Sequence, residues 1–180
     1  MNGKIEAYLK DPSWPDVPKP DRIFLAGELI DGVIVEPILP NTDMRGSLYE
    51  LLTTRDESIE PIVHSYAVLA EAGSTRDLVY HAKQTDRLHF VQGKFRIILM
   101  DIRKESPTFG GKIRFETGVK TPYRVHIPPF VAHAVRNIGN EAALFINMPT
   151  RPFLRKDPDK FRLNNDADYK VMEFDGLLDF

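Results

Sequence analysis

Val79-Tyr80-His81-x4-Asp86-x6-Gly93, followed further along by Pro128-x-Phe130-x2-His133-x3-Asn137, decides how this chain is read. Each stretch sets one histidine near a turn. Two strands facing across a small barrel would bring both imidazoles into one cavity. The surrounding sequence supplies such strands, because short apolar segments recur between turn residues. Strands are expected at 32–37, 47–53, 64–70, 78–83, 87–91, 95–102, 112–117, 123–127, 134–137 and 142–148. In Tyr123-Arg124-Val125-His126-Ile127, tyrosine, valine and isoleucine share one face while arginine and histidine share the other. Turns are expected at Gln92-Gly93-Lys94, Phe109-Gly110-Gly111 and Ile138-Gly139-Asn140. Many short strands with regular turns indicate an all-β barrel or sandwich rather than an α/β fold.

Bulk properties narrow the class. A chain of 180 residues suits one domain with a substantial core. Its 42% hydrophobic residues and net charge of -2 fit a globular protein, and interleaved Lys, Arg, Asp and Glu exclude a basic nucleic-acid surface. There is no cysteine, hence no disulfide framework, thiolate site or thiol nucleophile. The stretch 1–20 carries charges where a signal peptide needs an apolar run. No stretch approaches the ~20 apolar residues of a membrane helix. The expectation is a cytoplasmic protein with neither membrane nor nucleic acid as partner. Pro12, Pro15, Pro18 and Pro20 make the first segment an extended arm carrying the single tryptophan, Trp14. The charged tail from about Arg155 is expected to form a short helix followed by strand or coil.

The two opening stretches are similar in spacing to the paired motifs of the cupin superfamily. Three further segments resemble the dTDP-4-dehydrorhamnose 3,5-epimerase family. Asp43-Met44-Arg45-Gly46-Ser47-Leu48-Tyr49-Glu50 looks like its Asp-x-Arg-Gly motif and the strand that follows. Asp101-Ile102-Arg103-Lys104-Glu105-Ser106-Pro107-Thr108-Phe109-Gly110 is close to its Asp-x-Arg-x-x-Ser-Pro-Thr-Phe-Gly, the most specific match. Ile127-Pro128-Pro129-Phe130-Val131-Ala132-His133 is similar to its Ile-Pro-x-Gly-Phe-Ala-His, and Leu163-Asn164-Asn165-Asp166 is a weaker echo of its Trp-Asn-Asp-Pro. The resemblance implies a jelly-roll barrel that pairs into a homodimer. It also implies that Arg45 and Arg76 contact a diphosphate, which suits a guanidinium fork, while Tyr49 and Glu50 lie by the thymine. In that family these residues come from the partner subunit.

Three positions depart from the family. Its Arg-Gly-Leu-His-Tyr-Gln becomes Arg76-Asp77-Leu78-Val79-Tyr80-His81, so the catalytic base falls on Val79 and His81 replaces the glutamine. The enolate-stabilising lysine falls on Asp86, and the general-acid tyrosine on Ile146. An imidazole at 81 could still remove a proton beside a carbonyl, since its pKa lies near working pH. Sugar 3,4-ketoisomerases look similar here, and His81 matches the second member of their His-x-His pair. His81, Asp86 and His133 are therefore the candidate catalytic set. The same three form a two-histidine, one-carboxylate set able to hold Fe, Mn or Zn. The alternative is that Asp86 simply caps its turn; His64, His89 and His126 read as surface or strand-face residues, Tyr80 and Tyr123 as packing. Asp166 could orient a histidine.

Taken together, the expectation is a double-stranded β-helix (cupin jelly-roll barrel), with an arm over 1–31 and the barrel and tail over 32–180. Its expected function is a nucleotide-sugar epimerase or isomerase of the dTDP-4-keto-6-deoxyhexose type that needs no cofactor. The alternatives are a divalent-metal cupin enzyme on another small molecule and a non-catalytic nucleotide-sugar-binding relative.

Overall fold

The computed structural model describes residues 30–53 and 60–162. Among these the structure is all-β, without a helix. In chain order the strands are β1 (Ile34–Pro37), β2 (Pro40–Asp43), β3 (Gly46–Tyr49), β4 (Tyr66–Ala70), β5 (Thr75–Tyr80), β6 (Asp86–Gln92), β7 (Lys94–Asp101), β8 (Lys112–Gly118), β9 (Tyr123–Ile127), β10 (Val131–Asn137), β11 (Ala143–Asn147) and β12 (Phe161–Arg162). One sheet is ordered β1-β9-β6-β11-β4, a second β12-β5-β10-β7-β8, and β2-β3 form a separate hairpin. Every ladder is antiparallel.

The period-two pattern explains how the sheets close on each other. Val125 and Ile127 on β9, Leu88 and Phe90 on β6, and Phe145 on β11 turn inward, to meet Phe95, Ile97 and Leu99 on β7. Phe90, Phe95 and Phe145 form a cluster with ring centroids 5.1 to 5.6 Å apart. Each such burial contributes roughly 1.5–3 kcal/mol. The chain passes from β6 in one sheet to β7 in the other through Gly93 alone, at φ 89°. A Cβ there would lie 2.2 Å from that of Ala143, so only glycine fits the corner.

The most specific sequence motif locks a loop. Asp101 is fully buried, and its carboxylate accepts bonds from the Arg103 guanidinium (2.7 and 2.8 Å), the Ser106 hydroxyl (2.5 Å) and the Thr108 hydroxyl (2.6 Å). Arg103 in turn donates to the Asp31 carbonyl, and the Asp31 N–H donates to Thr108. The motif thus ties the 101–111 loop to the start of the barrel.

Several expected bounds move. The hairpin strand β2 lies between the expected strands at 32–37 and 47–53, where none is expected, and β3 ends at Tyr49, short of 53. β5 begins at Thr75, where β10 partners Thr75 and Arg76, and β10 begins at Val131, where β7 partners Val131 and Ala132, both earlier than expected. Residues 155–157 form a turn and bend and 158–160 an irregular stretch leading to β12, so the tail helix has no counterpart among the described residues. Trp14 and the arm to residue 29, and Asp166 with the 163–166 motif, lie outside them.

Candidate functional site

His133 is the third residue of β10 and is paired in register with Val79 on β5; His81 follows the end of β5 by one residue. Both therefore project from the second sheet. Asp86 opens β6 in the first sheet, opposite Ile127, and faces them. Its Oδ2 lies 3.3 Å from His81 Nε2 and 3.3 Å from His133 Nε2. The imidazole centroids are 5.7 Å apart. The short Asp side chain reaches because it starts its strand at the rim of the sheet, so it is a member of the cluster rather than a turn cap.

Hydrogen bonds fix both rings. His133 Nδ1 lies 3.2 Å from the Val131 carbonyl, and His81 Nδ1 bonds the Asp159 carbonyl. A carbonyl only accepts, so each Nδ1 carries the hydrogen and each Nε2 presents a lone pair or a second proton toward Asp86. Gln84 Nε2 donates to Asp86 Oδ1 at 2.8 Å. Asp159 secures the turn beneath His81, its carboxylate accepting the backbone N–H groups of Ala82, Lys83 and Gln84 at 2.9 Å each.

The charges follow from these contacts. Burial alone would push the Asp86 carboxyl up, since only 3% of the residue is exposed. Hydrogen bonds and charge from His133 and His81 outweigh that and hold it well below the usual carboxylate range. Burial likewise works to lower His81, but its bonds to Asp86 and Asp159 win and raise it. Burial would raise the Asp159 carboxyl; its three backbone N–H donors hold it low.

The cluster forms part of the wall of a cavity of about 490 Å³. Val68, Val79, Leu88, Val135 and Phe145 make it partly apolar, whereas Arg76, Arg151, Lys160 and Arg162 give it a cationic side. Val79, where the expected base is missing, is wall. Ile146 is not in the lining, while its neighbours Phe145 and Asn147 are, as strand alternation requires. Arg76 lines the cavity and reaches the Leu69 carbonyl at 3.5 Å. Arg45, Tyr49 and Glu50 do not line it within one chain. They lie on or beside the β2–β3 hairpin, where Arg45 holds Asp43 at 2.6 Å.

Sequence reading overlooked Tyr66, Asn147, Gln84, Arg151 and Asp159. Asn147 carries a signal, a polar residue in phase with Phe145 on an inward face; Asp159 has none, being brought in by a distant loop. Among the remaining histidines, His64 lines the cavity beside Tyr66 and His89 is fully buried on the outer strand face, pushed down to about 4 by that burial. Tyr80 stacks on Phe161 and Phe130, and Tyr123 packs on the core, both as expected. Phe130, where the resembled motif has glycine, sits at φ 57°, and its N–H donates to the His81 carbonyl at 2.8 Å. A left-handed phenylalanine costs about 1–2 kcal/mol.

Comparison with known proteins gives a consistent set of likenesses. The profile of the polysaccharide biosynthesis C-terminal domain family matches residues 41–161. The probable low-salt glycan biosynthesis epimerase Agl13 of Haloferax volcanii is 32% identical over 140 residues, covering 76% of this chain and 89% of that protein. The spore coat polysaccharide biosynthesis protein SpsL of Bacillus subtilis is 29% identical over 135 residues, covering 75% and 89%. Among solved structures, dTDP-4-dehydrorhamnose 3,5-epimerase from Sulfolobus tokodaii superposes with a TM-score of 0.65 at 25% identity, covering 76% of this chain and 80% of the other. A dTDP sugar isomerase from Desulfovibrio desulfuricans gives 0.71 at 19%, covering 77% and 87%, and so shares the fold. No helix among the described residues is long and apolar enough to cross a membrane.

Proposed function

The chain belongs to the polysaccharide biosynthesis C-terminal domain family, and on that premise we propose that it isomerises or epimerises a nucleotide-activated 4-keto-6-deoxyhexose by abstracting a proton beside the ketone. The observation that carries this reading is the His81–Asp86–His133 cluster in the wall of a cavity with a cationic side. His81 is the base. Its Nδ1–H is held by a carbonyl, so Nε2 takes the substrate proton, and Asp86 stabilises the imidazolium formed. His133 polarises the ketone or relays the proton. Arg76, with Arg151, Lys160 and Arg162 around it, receives the diphosphate.

The reading includes a double-stranded β-helix of the cupin type, supported by the alternation of consecutive strands β4, β5 and β6, and β9 to β12, between the two sheets. It also includes a cytoplasmic homodimer, in which Arg45, Tyr49 and Glu50 of one hairpin serve the other subunit's cavity. Full exposure of Met44 and 61% exposure of Leu48 on that hairpin support a surface made to be covered.

A second reading is favoured by the ring orientation itself. Two imidazoles whose Nδ1–H groups are held by carbonyls, with both Nε2 atoms 3.3 Å from one carboxylate oxygen, have the form of a metal site with its outer shell in place. The three ligand atoms lie within 4.8 Å of one another. His81, Asp86 and His133 would hold Fe, Mn or Zn, which when bound would polarise a substrate carbonyl.

Proton NMR of dTDP-4-keto-6-deoxyglucose with the purified protein in deuterated water separates the readings. Loss of a sugar proton signal beside the ketone, abolished in His81→Gln, is the expected result. Absence of exchange while the nucleotide still binds would instead indicate a non-catalytic binder. Exchange or turnover that needs stoichiometric metal and stops with a chelator would favour the second reading.

A further inference from the structure

Proton abstraction leaves an enolate, which has to receive a proton before a new isomer can leave. The histidines and Asp86 account for removal. A donor on another part of the wall is needed if the proton is to return elsewhere, and Tyr66 is there.

Tyr66 opens β4, the edge strand of the first sheet, whereas both histidines stand on the second. It lines the same cavity. Its cross-strand neighbour on β11 is Asn147, and Asn147 Nδ2 donates to the Tyr66 hydroxyl at 2.9 Å. The amide cannot be turned over, because Asn147 Oδ1 accepts the Arg87 backbone N–H at 3.1 Å and the residue is 1% exposed. A flipped amide would set its NH2 group against that N–H. The phenol oxygen is therefore an acceptor toward Asn147, and its own hydrogen must point elsewhere. With the amide on one side and the residue, 42% exposed, at the rim of the cavity it lines, the hydrogen is left able to turn into the cavity.

We propose that Tyr66 is a catalytic proton donor of this cavity, set in the donating orientation by Asn147 as a positioning residue. The inference rests on the proton-abstraction reading above. His81 Nε2 takes the proton from the carbon beside the ketone and the C–H electron pair passes into the enolate. The Tyr66 O–H bond then breaks, its proton forming a new C–H or O–H bond on the substrate. The phenolate regains a proton from water and His81 releases its own to water, so that the substrate is isomerised with no other net change. Burial and the charge of Asp86 raise the phenol and keep it protonated at rest, while its bond from Asn147 and the charge of Arg76 favour the transient phenolate.

The test uses dTDP-4-keto-6-deoxyglucose in deuterated water with the full chain and two variants, following deuterium entry and product separately. Tyr66→Phe removes one oxygen. Asn147→Asp keeps the oxygen that accepts the Arg87 N–H but replaces the donor by an acceptor, which draws the Tyr66 hydrogen away from the cavity. Both variants are expected to continue exchanging the proton next to the ketone while product formation falls about 10²–10⁴-fold, with the loss in kcat rather than KM. The alkaline limb of the product profile should disappear in Tyr66→Phe. Wild-type product rates in either variant overturn the proposal, as does equal loss of exchange and product. A wild-type protein that exchanges nothing would instead sink the proton-abstraction reading, and this proposal with it.

Discussion

Asp86→Asn offers the sharpest test of the cluster because it changes charge and almost nothing else. In the wild type the carboxylate is 3% exposed and stands 3.3 Å from each Nε2. At an effective dielectric of about 20, each contact with a protonated imidazole is worth about 5 kcal/mol before burial is counted. Burial takes back much of it, so removing one partner costs roughly 3–5 kcal/mol. The cost depends on pH in a definite direction. Asp86 has a depressed pKa, so its contribution is present above about 3.9 and is lost as pH falls through the lower folded value. His81 has a raised pKa, so its contribution is complete below about 6.5 and is lost as pH rises through the higher folded value. The two windows overlap in mildly acid solution. Urea unfolding should therefore show the variant destabilised by roughly 3–5 kcal/mol near pH 5.5. In alkali, above the raised folded pKa of His81, that ring has lost its charge, the asparagine oxygen still accepts from Gln84, and the deficit should shrink to about 1 kcal/mol. NMR titration should also find the His81 pKa below its wild-type value, since its largest raising contact is gone. Equal deficits at both pH values, or a larger one in alkali, would refute the charge assignment, and an unmoved His81 titration would refute the contact.

Asp159→Ala releases three backbone N–H groups in the turn under His81 and should cost about 2 kcal/mol at neutral pH. Since the folded pKa of Asp159 is lowered, that deficit should vanish in acid melts as pH falls through it, and a deficit that persists there would count against the carboxylate. Asp101→Asn breaks a buried network and should cost about 3 kcal/mol, while deuterium exchange per folded molecule is unchanged; lost exchange at full stability would make the motif functional. Arg76→Ala should weaken dTDP binding about tenfold, with a shallower salt dependence, by calorimetry at two ionic strengths. An unchanged Kd would remove Arg76 from the phosphate subsite.

How much of this was legible in sequence depended on whether a residue's role was local. The alternation of Val125 and Ile127 and the glycine at 93 are settled by backbone geometry, and both fell where the pattern put them. His81, Asp86 and His133 were also readable, because their spacing fixes strand positions and opposing strands do the rest. Bounds failed where pairing overrides propensity: Thr75 and Arg76 are polar yet join β5 because β10 supplies their partners. Tyr66 and Asn147 are 81 residues apart and acquire meaning only through the β4–β11 register. Asp159 reaches His81 from a loop whose sequence carries no trace of that contact.

The same distinction explains how this cavity can differ so much at the positions where its sequence resembles an epimerase. The motif that looks most specific, Asp101 through Thr108, holds a loop to the start of the barrel and lines no part of the cavity. It can persist through any change in the chemistry. The orientation of the two imidazoles is likewise fixed by main chain, through the Val131 and Asp159 carbonyls. Substituting a neighbour such as Val79 leaves those acceptors in place, so Nε2 of each ring continues to face Asp86. Conversely, Ile146, on which the resemblance sets the general-acid tyrosine, is out of phase with the inward face carried by Phe145 and Asn147, so a side chain there does not enter the cavity. The fold thus fixes both imidazoles through main-chain carbonyls, while the β4–β11 side presents Tyr66 and Asn147 to the same cavity.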